Sequence, residues 1–144
     1  MGCLTDFLHE DHVRCDDLYL AAERYAADGD VPAAGAAFSA FSQAIAHHFG
    51  MEENVLFPAF EEASGNTQGP TAVMRHEHTQ MREMFEAMHI TLTRQDTDQF
   101  LALADTLLVL MQQHNAKEER ILYPMTDRML ADPQAVLADM KAHG

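Results

Sequence analysis

Apolar residues recur at helical spacing along most of the chain, and no strictly alternating run suggests a strand. From Thr5 to Ala27, Leu8, Cys15, Leu18, Tyr19 and Ala22 share one side while most acidic residues lie elsewhere, which predicts a first helix, A. Asp28-Gly29-Asp30-Val31-Pro32 ends it, with the proline suited to the first turn of the next helix. Helix B is expected over 33–63, with Pro58 kinking it or ending its regular part, because proline cannot donate to the carbonyl four residues back. Ser64-Gly65-Asn66-Thr67-Gln68-Gly69-Pro70 is dense in turn formers and divides the chain into halves. Helix C then covers 71–92, and helix D covers 97–130 after the turn Thr93-Arg94-Gln95-Asp96, with Pro124 late in it. Asp132-Pro133 pairs a capping residue with proline at the first helical position, opening a short last helix over 133–142. The expectation is one all-α domain spanning 1–144, an up-down-up-down four-helix bundle.

The two halves repeat one another. A shift of 66 residues lays His48-Phe-Gly-Met-Glu52-Glu53-Asn-Val-Leu56-Phe57-Pro58 over His114-Asn-Ala-Lys-Glu118-Glu119-Arg-Ile-Leu122-Tyr123-Pro124, with five of eleven positions identical. The same shift lays His12 over His78, Leu8 over Met74 and Tyr19 over Phe85. The chain reads as two helical hairpins of one design related by a pseudo-twofold axis, each carrying a lone His followed by His-x-x-x-Glu.

A His and a Glu four residues apart share a helix face, with β-carbons about 5–6 Å apart. One such pair in isolation is ordinarily just a pair of neighbours. Here it occurs twice, and 36 residues separate His12 from His48 and His78 from His114. Each lone His and its partner are equidistant from a turn, so in antiparallel hairpins all four histidines lie at one height. Each also falls on the apolar stripe of its helix, for example Leu8, His12, Cys15, Tyr19 on A and Leu107, Met111, His114, Glu118 on D. Four imidazoles and two carboxylates in an apolar core are costly unless something satisfies them, and two cations sharing carboxylates would do so. The candidate ligands are therefore His12, His48, Glu52, His78, His114 and Glu118. Mixed imidazole and carboxylate donors suit iron, with manganese second, whereas structural zinc favours a tetrahedral, thiolate-rich site. A ferritin-like site would need repeated Glu-x-x-His pairs, and only Glu86 and His89 match.

Composition narrows the partners. There are 23 acidic against 9 basic residues, a net charge of −14, with no Lys/Arg cluster, which disfavours nucleic acid and anionic membrane. The apolar stretches fall short of the roughly 18 residues a bilayer span requires. Met-Gly-Cys-Leu-Thr-Asp lacks the basic flank and apolar core of a secretory signal, so the cytoplasm is expected. Cys3 and Cys15 would be about 18 Å apart on one helix, beyond disulfide reach.

Over residues 4–130 these features together resemble the hemerythrin-like family, the HHE cation-binding domain. Asp11-His12, His48 to Pro58, Glu77-His78 and His114-x-x-x-Glu118-Glu119 are similar to its helix signatures. The resemblance implies a non-haem diiron centre, with an oxo or hydroxo bridge and bridging Glu52 and Glu118. It implies O₂ or NO as ligands, for sensing, scavenging or storage. The alternatives are detoxification of peroxide or NO, and iron buffering or donation for the repair of iron centres. The chain departs from the oxygen carriers at Met74, where they place a fifth histidine, and in using Glu118 four residues after His114. Without the fifth histidine, a site with two His per iron and two bridging Glu leaves coordination positions for small ligands. Tyr19, Met74 and Cys15 are expected near the site, as packing or as hydrogen-bonding neighbours.

Overall fold

The computed structural model describes residues 2–144, which form helices α1 (Cys3–Ala27), α2 (Val31–Met51), α3 (Phe57–Ser64), α4 (Pro70–Thr93), α5 (Thr97–Lys117), α6 (Tyr123–Met129) and α7 (Pro133–Ala142). Two five-residue π turns, π1 (Glu52–Leu56) and π2 (Glu118–Leu122), join α2 to α3 and α5 to α6 without a break. α1 packs on α2 and α5, and α4 on α5 and α2, closing a ring of four antiparallel rods. No helix among the described residues is long and apolar enough to cross a membrane.

The expected helix positions agree, but two features of B and D differ. The regular α part of each stops at a π turn ahead of the proline instead of at Pro58 or Pro124 itself. Each proline is the second residue of a new α segment, directly after a π turn. The wide turn carries the backbone past the missing N–H and the ring: Phe57 N–H bonds Glu52 O, and Tyr123 N–H bonds Glu118 O, five residues back in both cases. α1 also begins two residues before the expected Thr5. Asp127 on α6 accepts from the backbone N–H groups of Leu4 and Thr5, both at 3.1 Å, and from the Thr5 hydroxyl at 2.9 Å.

The pseudo-twofold is built into these details. Thr71 donates to Glu61 at 2.7 Å as Thr5 does to Asp127, at positions 66 residues apart. Asp30 and Asp96 cap α2 and α5 by accepting from Ala33 and Gln99, each at 3.1 Å. Before each cap the chain turns through a left-handed residue, Gly29 at φ 75° and Gln95 at φ 58°.

Two apolar clusters fill the bundle. One, toward the α1–α2 and α4–α5 turns, includes Tyr19, Phe38, Phe41, Phe85 and Phe100. The other, toward the opposite end, includes Leu4, Leu8, Leu56, Phe57 and Met74, and α7 packs Met140 against it. Between them lies a layer of buried polar side chains.

Left-handed φ costs a residue with a Cβ about 1–2 kcal/mol, more than the entropy a glycine loses on folding. Gln95→Gly, which copies Gly29, should therefore stabilise the protein by about 0.5–1 kcal/mol in denaturant titration. No change or a loss would show that the Gln95 side chain contributes something the turn geometry does not reveal.

Candidate metal centre

The polar layer consists of the six residues singled out by the repeat. His12, His48, Glu52, His78, His114 and Glu118 are each no more than 3% exposed. Glu118 Oε1 lies 3.2 Å from Nε2 of both His12 and His114. Glu52 Oε1 lies 3.5 Å from His48 Nε2 and 3.2 Å from His78 Nε2. Each carboxylate thus sits between the imidazole one turn back on its own helix and one from the other hairpin. Two donor nests result: Glu52, His78, His114 and Glu118 in one, His12, His48 and Glu118 in the other, with donor atoms within 4.8 Å of one another in each.

A second ring of carboxylates orients the imidazoles from outside. Asp11 accepts from His48 Nδ1 at 2.8 Å and Glu77 from His114 Nδ1 at 2.8 Å, within each hairpin. Glu53 accepts from His78 Nδ1 at 2.7 Å and Glu119 from His12 Nδ1 at 2.6 Å, between hairpins. Burial opposes ionisation of Asp11 and Glu53, but His48 with Arg14, and His78 with Arg82, hold them down to about 2. The bond from His12 lowers Glu119, and Lys117 with His114 lowers Glu77 against its burial. An ionised carboxylate only accepts, so every Nδ1 donates outward and every ring turns its Nε2 toward the centre. These four residues follow the same shift of 66, and each is the sequence neighbour of a ligand candidate, His12, Glu52, His78 or Glu118, which is the signal that could have revealed them.

Tyr123 occupies the middle of the layer and is fully buried. Its hydroxyl lies 2.6 Å from Glu52 Oε2 and 2.9 Å from Glu118 Oε1, and 3.2 and 3.4 Å from Nε2 of His12 and His48. Regular helix phasing hides it, since an α-helix sets residue 123 about 140° round from residue 118. The π2 turn instead stacks the two. Tyr19 takes the packing role: its hydroxyl donates to Ala104 O at 2.6 Å, inside the apolar cluster. Seven residues beyond His12, its ring is about 10 Å along the axis, too far to reach the layer. Cys15 packs in that same cluster and joins neither donor nest, and Met74 packs in the opposite cluster. Burial pushes the Cys15 thiol up to about 12, so it is protonated and a poor ligand.

Among the described residues, four buried side-chain atoms lack a hydrogen-bond partner: Glu52 Oε1, Glu118 Oε2, His78 Nε2 and His114 Nε2. They belong to the four members of the first nest. Orphaned atoms of this kind cost about 1–3 kcal/mol each, more when charged. A cation bound among them is the partner that would satisfy them all, so the residues present fit a metal. A model of the hemerythrin HHE cation-binding domain matches residues 3–126. The chain belongs to that family. No curated protein and no solved structure gives a match. The family is a cation-binding one, and the buried His/Glu layer groups donor atoms that could hold a cation.

Without a cation, protons take its place. Burial disfavours charge on His12 and His78, but the carboxylates beside them, Glu118 and Glu119 for His12 and Glu52 and Glu53 for His78, outweigh it and raise them to about 10 and about 9. Burial and the Glu118 charge push Glu52 up, whereas Glu118, although buried, is drawn well down by His114 and His12. Both imidazoles lie above their ordinary 6.5, so the folded metal-free protein binds more protons than the unfolded chain between about 6.5 and 10. Their contribution to stability is complete below that window and is lost as the pH rises through it. Chelator-treated protein should show a falling denaturation midpoint from about pH 7 to pH 10, and bound metal should flatten the decline. A midpoint that holds or rises there would mean that the imidazoles are neutral in the folded metal-free state.

Proposed function

We propose that the layer holds two iron ions, one in each nest with Glu118 shared and Glu52 as the second bridging carboxylate, and that the loaded centre binds O₂ or NO for sensing, scavenging or storage. The observation that carries this reading is the membership of Glu118 in both nests, beside four orphaned donor atoms. The donors are nitrogen and oxygen only, which suits iron or manganese better than a thiolate-rich structural zinc site. When bound, two irons would supply one-electron chemistry and coordination positions open to a small diatomic molecule.

The protein's own contribution is positioning and electrostatics. The outer carboxylates fix the ring orientation of all four imidazoles and raise their basicity as donors. Phe49 stacks on His78 with ring centroids 3.8 Å apart, which holds that ring and excludes water from its face. Tyr123 holds a proton at its hydroxyl between Glu52 and Glu118, because burial and then the charges of Glu118 and Glu52 push its ionisation well above the usual range. That proton supports a second reading, turnover of peroxide, since cleaving an O–O bond requires a proton for the departing oxygen.

Elemental analysis should find about two irons per chain, and a single tightly bound zinc would overturn the assignment. Glu52→Ala or Glu118→Ala, each of which removes a bridging carboxylate, should cost more iron than His76→Ala or His89→Ala; equal losses would mean the ligand set is misassigned. Ferrous protein mixed anaerobically with O₂, NO and H₂O₂ in turn, followed by optical spectra, separates the readings. Tyr123→Phe, which copies Phe57, should keep the iron and slow peroxide turnover by about 10²-fold if the phenol is the proton donor. Unchanged turnover with full iron content would remove Tyr123 from the chemistry.

A further inference from the structure

The pseudo-twofold breaks at one corner of the bundle. Between α1 and α5 lies a surface cavity of about 250 Å³ lined by His9, His12, Asp16, Asn115, Glu119 and Arg120, among others. Its inner wall is thus His12, 3% exposed and a member of the second nest. The mirror corner, between α2 and α4, carries Phe49 where this one has Asn115, Arg82 where it has Asp16, and Arg75 where it has His9. There Phe49 stacks on His78, and the Arg82 guanidinium lies 5.2 Å from the Phe49 ring and bonds both oxygens of Glu53 at 2.8 Å. Arg75 bonds Glu53 O and Glu61, each at 3.3 Å. One corner is therefore plugged by an aromatic ring and carries two arginines, Arg82 on the outer carboxylate Glu53 and Arg75 on the Glu53 backbone carbonyl and Glu61. The other is open and polar, with two carboxylates against a single exposed arginine, Arg120.

The layer has to be loaded from solvent although none of its six candidate ligands is more than 3% exposed. A cation approaching Arg75 and Arg82 meets repulsion and a ring; one approaching Asp16 and Glu119 meets attraction and a cavity. At that corner a continuous line of donors leads inward. His9, more than half exposed, bonds Glu119 Oε1 through Nδ1 at 2.7 Å, and Glu119 Oε2 bonds His12 Nδ1 at 2.6 Å. We infer that the α1–α5 corner is the entrance by which divalent cations reach the buried layer, drawn by Asp16 and Glu119 into the cavity whose inner wall is His12. The inference rests on the reading of the layer as a metal centre, and it makes Asp16 a steering residue and not a ligand.

Uptake of Co²⁺ by chelator-treated protein, followed by stopped-flow absorption and then by metal content at the end point, tests this. Asp16→Arg, which copies Arg82, should slow uptake about tenfold at low ionic strength and approach wild type at ~0.5 M salt, where the field is screened. Asp16→Asn, close to isosteric, should slow it less and keeps the test sound if the arginine disturbs folding. Asp17→Asn removes the same charge from the exposed neighbouring position and should leave the rate unchanged. End-point content should be equal in all four proteins. An unaltered rate in Asp16→Arg with full content, or an equal slowing in Asp17→Asn, would overturn the entrance. Loss of content in Asp16→Asn would overturn its role as a steering residue. Failure of the wild-type protein to take up Co²⁺ would instead overturn the metal centre itself.

Discussion

Six ionisable side chains share one layer across the middle of an apolar bundle, and most of the architecture answers to the cost of placing them there. Imidazole and carboxylate groups buried without partners would each cost several kcal/mol. Each imidazole is therefore held on its outer nitrogen by a carboxylate at the edge of the layer, and those carboxylates are in turn held by Arg14, Arg82, Lys117 and His9. Charge falls off outward in alternating shells, and only the inner faces remain unsatisfied. The unsatisfied faces are the site. The apolar clusters on either side keep water out of the layer and fix the helices at the spacing the shells require.

The same constraint accounts for the π turns. A regular α-helix would present Glu52 and Glu118 to the layer and then meet a proline six residues later with no room for its ring. Widening one turn carries the backbone past the proline and brings the residue before it over the carboxylate. In the first half that residue is Phe57, whose ring lies against His78 with centroids 5.7 Å apart. In the second half it is Tyr123, whose hydroxyl enters the layer. One backbone device thus yields an apolar wall in the first half and a hydroxyl hydrogen-bonded to Glu52 and Glu118 in the second.

Symmetry and its breakage divide the work. Caps, turns and carboxylate shells repeat at 66 residues because they serve stability, and two hairpins of one design meet the same physical demands twice. The positions that differ, Tyr123 for Phe57, Asn115 for Phe49, Asp16 for Arg82 and His9 for Arg75, gather on one side of the layer. There the protein is polar and open where its other half is aromatic and closed.

Much of this was legible in the residue order. Periodicity, turn formers and capping residues located the helices. The repeat, with equal spacing about each turn, placed His12, His48, Glu52, His78, His114 and Glu118 at one height, because rise per residue is constant and antiparallel neighbours return at the same rate. What periodicity could not supply was any contact that depends on departure from regular phasing or on which hairpin faces which. Tyr123 was hidden because only a π turn brings it over Glu118, and Tyr19 looked better placed because regular phasing keeps it on the His12 stripe. The pairing of Glu53 with His78 and of Glu119 with His12 joins residues from different hairpins, and only the docking of one hairpin against the other decides it. Sequence order determined the layer; tertiary packing decided which side chains close it, which complete it and which leave it open, since those outcomes depend on distances between segments the chain does not join.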